Sequence, residues 1–158
     1  MMAPHRISPA DTKAHEEIHA LLHMCFAYME GRIDPPSSLH RLSVQDIARQ
    51  CKEGEVWAIG DPPGACVFFT PKSDVFYLGK MAVAPDARGQ GHARRLVTLA
   101  EQRAALLGKP MLELQTRIEL VENHETFRKL GFRIHAYGKH PGFEHVTDVT
   151  MRKPVQTF

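Results

Sequence analysis

The chain is poor in cysteine. Cys25, Cys51 and Cys66 are an odd number, and none stands in a CxxC spacing. They read as reduced, core-filling thiols of a cytoplasmic protein rather than as a disulfide framework. Long apolar runs are missing too. Nothing approaches the ~20 residues that cross a bilayer, and Met1 to Ser8 carries no apolar signal region. A strong charge excess is also absent. The 20 Lys and Arg against 18 Asp and Glu leave +2, too little to point to nucleic acid or a membrane surface. There are no repeats and no low-complexity segments. What remains is a chain of 158 residues, 43% hydrophobic and 24% charged, which suits one domain with a sizeable core.

One stretch organises the rest, from Met81 to Leu96. Val75, Tyr77, Met81 and Val83 are apolar at alternate positions and predict a strand. Pro85 cannot donate to a ladder and ends it. Ala93, Leu96, Val97, Ala100, Ala104 and Leu107 recur near every 3.6 residues and predict a helix with one face inward. Between the two lie Gly89 and Gly91. The third glycine of a dinucleotide fingerprint is lacking, and no Gly-Lys-Ser/Thr follows as in a Walker loop. A helix start leaves its first amides unpaired and partly positive, and glycines let an anion approach them. Arg88 adds a fixed charge suited to phosphate. The dipole contributes only about 0.3–1 kcal/mol per charge, so several amides must act together. From Pro85 to Lys109 the chain is locally basic, which suits the same ligand.

The rest reads in order. His5 to Ser8 predicts a short strand, and Asp11 to Met29 a helix with Ser8 or Asp11 as its cap. That helix contains His15-Glu16-Glu17-Ile18-His19, the zinc-protease spacing, with His23 one turn on. No third ligand at a suitable spacing follows, so a solvated helix face is the better reading and no metal is expected. Gly31 to Leu39 is a loop stiffened by Pro35 and Pro36. Ser43 to Cys51 predicts a second helix, with Ser43 and Asp46 as a capping-box variant and Gly54 beyond its end. Strands follow over Glu55–Gly60, Ala65–Thr70 and Val75–Val83, with Gly79 marking a bulge or a close approach of backbone. After the central helix come a strand over Met111–Thr116, a helix over Leu120–Leu130, and strands over Phe132–Tyr137 and His145–Met151. The order β-α-α-β-β-β-α-β-α-β-β is a mixed α/β layer fold.

Arg88-Gly89-Gln90-Gly91-His92-Ala93 resembles the Arg/Gln-x-x-Gly-x-Gly/Ala signature of the GNAT superfamily of N-acetyltransferases. Phe127-Arg128-Lys129-Leu130-Gly131-Phe132 resembles that family's second block, in the right order. The resemblance implies a central, mostly antiparallel mixed sheet of six or seven strands, one parallel pair splayed apart, and about four helices on its faces. It implies acetyl-CoA, or another acyl-CoA, as cosubstrate and an amine as acceptor, with homodimer formation left open. The diphosphate would sit on Arg88 to Ala93. Met81, Ala82 and Val83 would border the pantetheine, and a main-chain amide near Met81 would polarise the thioester. Asn123 and Phe127 would contact the carrier from the following helix. Glu30, Arg32, Asp34 and Tyr77 fall where an acceptor would lie. Candidate bases are Glu113, on the splayed strand opposite in facing to Leu112 and Leu114, and Glu30 or Asp34. Glu113 also reads as a solvent-facing strand residue. Phe127 stands where the family places the tyrosine that protonates the departing sulfur. Tyr77 or Tyr137 substitutes, or the thiolate leaves unaided, being a fair leaving group at a pKa of about 8.5. His140 and His145 flank the last loop, as acceptor-site or turn histidines. The acceptor reads as a small-molecule or a protein amine alike, and a non-catalytic acyl-CoA sensor is the alternative.

Overall fold

The computed structural model describes residues 2–156. One seven-stranded sheet runs through it in the order β1-β2-β3-β4-β5-β7-β6. The strands are β1 (His5–Arg6), β2 (Glu55–Ile59), β3 (Ala65–Pro71), β4 (Phe76–Val83), β5 (Met111–Arg117), β6 (Arg133–Gly138) and β7 (Asp148–Pro154). All neighbours are antiparallel except β4 and β5. The helices are α1 (Thr12–Phe26), α2 (Val44–Glu53), α3 (His92–Leu106) and α4 (Val121–Lys129). This is the expected mixed fold.

Local chemistry sets the helix starts. The Asp11 carboxylate accepts from the Ala14 amide at 3.2 Å. Ser43 and Asp46 close a full capping box, at 3.0 and 2.9 Å, so a shorter carboxylate at N3 still satisfies both amides. Most boundaries fall within one or two residues of the expected ones, β7 runs on to Pro154, and three further differences stand out. β1 is His5–Arg6 only. The α-helix of α1 stops at Phe26 and continues as one 3-10 turn to Met29. β7 begins at Asp148, not at His145, because residues 139–147 form the connection from β6.

Helices cover both faces, so β3 is buried at every position from Ala65 to Phe69. Cys66 and Phe68 pack with Ile18, Leu22 and Ile47 of α1 and α2. Val67 and Phe69 pack with Leu96, Val97 and Ala100 of α3, and with Leu112, Leu114 and Met151 farther along the sheet. All three cysteines are free and buried; burial pushes the Cys51 thiol up to about 11. Glu55, 4% exposed, is held bidentately by Arg103 at 2.9 and 2.8 Å and by Trp57 Nε1 at 2.8 Å. That pair ties α3 to β2. Among the described residues no helix is long and apolar enough to cross a membrane.

Candidate active site

The turn after β4 is one 3-10 turn, Pro85–Ala87. The chain then passes through Gly89 at φ +78° and Gly91 at φ +79°, the second capping α3. A Cβ on either glycine meets nothing within 4 Å. The glycines are therefore required by the backbone dihedral, and the space above them is open. The Arg95 amide bonds Gly91 O at 3.0 Å, but among the described residues no acceptor is found for the amides from Arg88 to Arg94. They form a row of unpaired donors at the positive end of a 15-residue helix. The Arg88 guanidinium folds back, its Nε donating to Val83 O at 3.4 Å. The His92 ring is buried against the Arg95 guanidinium. Burial, then the Arg95 charge, lowers its pKa, so at neutral pH it adds no positive charge.

β4 and β5 pair only at Phe76 with Leu112 and Tyr77 with Glu113. Beyond that point their facing edges have no ladder partner. On the other side of β4, Cys66 pairs with Ala82 and Phe68 with Gly79, so Lys80 and Met81 together oppose Val67. This is a β-bulge. Gly79 is next to it, but the left-handed residue is Lys80, at φ +50°. The gap opens into a cleft of about 700 Å³. Its floor is Tyr77 to Met81 and Leu114 to Arg117; its walls come from the α1–α2 connection, α4 and the β6–β7 connection. Burial raises the Tyr77 pKa and the Glu113 charge adds to this, while the Gln115 amide acts the other way. Tyr77 therefore keeps its proton well above neutral pH. Burial lowers the pKa of Lys80.

A family model described as the acetyltransferase (GNAT) family matches residues 16–132. The chain belongs to the GNAT acetyltransferase family. Solved structures share the GNAT fold over nearly the whole length. A protein assigned to the GNAT family from Desulfovibrio desulfuricans has a TM-score of 0.77 at 15% identity, covering 99% of this chain and 100% of that one. A Bacillus subtilis acetyltransferase in complex with CoA has 0.68 at 16%, covering 99% and 100%. The ribosomal-protein-S18-alanine N-acetyltransferase of Escherichia coli has 0.67 at 18%, covering 100% and 96%. At these identities the likeness is one of fold. No curated protein sequence matches the chain.

Within this GNAT cleft the residues singled out from the sequence separate into two groups. Tyr77, Met81, Asn123 and Phe127 line it together. Asn123 Nδ2 lies 3.3 Å from Tyr28 Oη and 3.5 Å from Thr116 Oγ1, and Phe127 stacks edge-on against Phe132. Glu113 does not line the cleft: Arg152 Nε holds its carboxylate at 2.9 Å. Tyr137 is 58% exposed. It sits opposite Val149, whose side chain enters the α3-side core, so it faces away from the Asp148 side of the sheet. Glu30 is exposed and 3.7 Å from His40. Arg32 pairs with Glu122 at 2.7 Å, and the Asp34 amide donates to Glu119 at 3.1 Å. With Arg117 Nη2 on Pro36 O at 3.2 Å, these bonds tie the α1–α2 connection to β5 and α4. They make the connection a wall and leave those charges on its outer side.

Charged cleft residues that escaped the sequence reading include Lys80, Arg117 and Asp148. Strand alternation puts Arg117 on the Glu113 face, but only the register Arg117 with Asp148 brings the two together. The His15 and His19 rings serve the main chain. His15 Nε2 is 2.9 Å from Ser8 O and His19 Nε2 2.9 Å from Leu42 O. Among the described residues no three His, Cys, Asp or Glu side chains are grouped to hold a metal ion.

Proposed function

We propose that this GNAT protein is an N-acetyltransferase that moves an acetyl group from acetyl-CoA to a primary amine of a small molecule or protein, by direct attack in a ternary complex. One arrangement carries the reading. The unpaired amides of Arg88 to Arg94 follow directly on β4, the strand whose inner edge opens away from β5. The amides suit a diphosphate, and two open strand edges suit an extended pantetheine arm taken up like an added strand. The main chain at Met81, on the stretch of β4 that no longer pairs with β5, would polarise the thioester carbonyl; one such donor is worth about 2.7–4 kcal/mol in acyl transfer. Ala82 and Val83 continue that edge. Tyr77 holds its proton inside the cleft and would deliver it to the departing sulfur, the role for which Phe127 lacks a hydroxyl. Three buried free thiols fit a reducing, cytoplasmic setting.

The test is a panel of primary amines with acetyl-CoA, read by free-thiol release. We expect turnover with at least one amine. Tyr77→Phe should lower it by about 10-fold or more while thermal stabilisation by acetyl-CoA stays intact. Stabilisation without thiol release across the panel would instead favour an acyl-CoA-binding sensor, the reading that Phe127 supports.

A further inference from the structure

The acceptor amine must lose a proton before it attacks. A primary alkyl amine titrates near 10, so about one molecule in a thousand is neutral at pH 7. Of the carboxylates expected to help, Glu113 is occupied by Arg152, and Glu30 and Asp34 are exposed on the connection. The cleft holds another group. His140 is the second residue of the β6–β7 connection and lines the cleft. Its Nδ1 lies 3.1 Å from Asp148 Oδ2 and 2.6 Å from Thr147 Oγ1. Its own amide also donates to Thr147 Oγ1, at 2.9 Å. Thr147 is fully buried and donates to Asp148 Oδ2 at 3.0 Å. Main-chain bonds fix it to two neighbours, Thr147 N to Gly138 O and Ile118 N to Thr147 O, both at 2.9 Å.

Hydrogen counting decides the tautomer. The Thr147 hydroxyl has one proton, and the carboxylate takes it. An ionised carboxylate only accepts. The proton between the ring and these oxygens must therefore sit on Nδ1, which leaves Nε2 with a free lone pair. Among the described residues Nε2 has no partner. Arg117 Nε stands 3.9 Å from the other Asp148 oxygen, and its Nη1 is buried without an acceptor.

We propose, resting on the acetyltransferase reading above, that His140 Nε2 is the general base for the acceptor amine and that Asp148 and Thr147 are positioning residues. Nε2 takes one proton from the ammonium group. The neutral nitrogen attacks the thioester carbon, the N–C bond forms and the C–S bond breaks with its electron pair on sulfur. The second nitrogen proton replaces the one that the departing thiolate takes up. The first passes from His140 to solvent. Asp148 stabilises the imidazolium formed in between, as in other carboxylate–histidine pairs. The titratable and charged groups around His140 are Asp148 and Arg117 on the adjoining strands, Tyr77 and Lys80 on the cleft floor, His40 and Arg41 on the wall formed by the α1–α2 connection, and His145 beyond Phe143.

The test compares wild type, His140→Gln and Asp148→Asn with two probes, a primary alkyl amine that supports thiol release and an aromatic amine that is already uncharged at pH 7. His140→Gln should lower kcat for the alkyl amine by about 100-fold or more, leave KM within about threefold, and leave a rate that keeps climbing with pH toward the amine's own pKa near 10, where the wild-type rate levels off earlier. The aromatic amine should be spared. Unchanged thermal stabilisation by acetyl-CoA would show that the fold and carrier site survive. Equal losses for both amines, or a pH–rate profile of the same shape as wild type, would overturn the proposal. Histidine ¹⁵N NMR of the unreacted wild type gives a check that needs no acceptor. His140, assigned by the resonance lost in His140→Gln, should carry its proton on Nδ1, and Asp148→Asn should disturb that. An Nε2-protonated ring would overturn the assignment even if acetyl transfer is found.

Discussion

Gly91 and Lys80 both take a left-handed backbone, and only one of them is a glycine. For Gly91 the reason is local: any L-residue there costs about 1–2 kcal/mol, and the space above it is empty. Gly91→Glu should therefore fold, with a slightly lower Tm. It should lose the thermal stabilisation given by acetyl-CoA, because it sets a carboxylate among the amides from Arg88 to Arg94. Undiminished stabilisation would contradict the cradle. At this scale the sequence was readable where the information is contiguous, as in the turn and helix start that Gly89 and Gly91 set between Arg88 and Ala93. It was unreadable where a partner comes from far along the chain. The facing of Glu113 follows from its alternation with Leu112 and Leu114, yet its fate depends on Arg152, 39 residues on. The His140–Asp148 contact likewise needs a turn whose length periodicity does not specify.

Elements were legible through their ends and periods, and less so through their pairing. The central strand, loop and helix stand where alternation, Pro85 and the two glycines put them. The divergence of β4 from β5 after Tyr77 was marked only by Gly79, and the bulge falls one residue later. The bond between α3 and β2 had no sequence signal at all. Burial alone would raise the Glu55 carboxyl, but hydrogen bonds from Arg103 and Trp57 and the Arg103 charge outweigh it, and the net shift is downward from 4.5. A depressed carboxyl contributes stability above its unfolded pKa and loses it as pH falls through the folded one. Arg103→Leu should thus cost about 3 kcal/mol at pH 7, and the gap from wild type should narrow below about pH 4. Urea denaturation at the two pH values checks this; a gap independent of pH would show that Arg103 acts by packing alone.

For the molecule as a whole, one strand does two things. On its outer edge β4 completes an antiparallel sheet buried on both faces; on its inner edge it leaves backbone unpaired, from the gap to the start of α3. Sheets rarely leave such edges open in their middle, and here the opening meets a cleft of about 700 Å³ and a helix start with no acceptors. The class of fold was legible because its elements follow one another in order. The composition of the cleft was not, because two long connections, from α1 to α2 and from β6 to β7, meet there with α4 and two strands. The most direct measurement is a ¹H–¹⁵N titration of the uniformly labelled protein with CoA. The amides of Arg88 to Arg94 and of Leu78 to Met81 should shift most, and removing the ligand's diphosphate should silence the first set and spare the second. Shifts confined to other surfaces, or none at saturating CoA, would contradict this reading of the site.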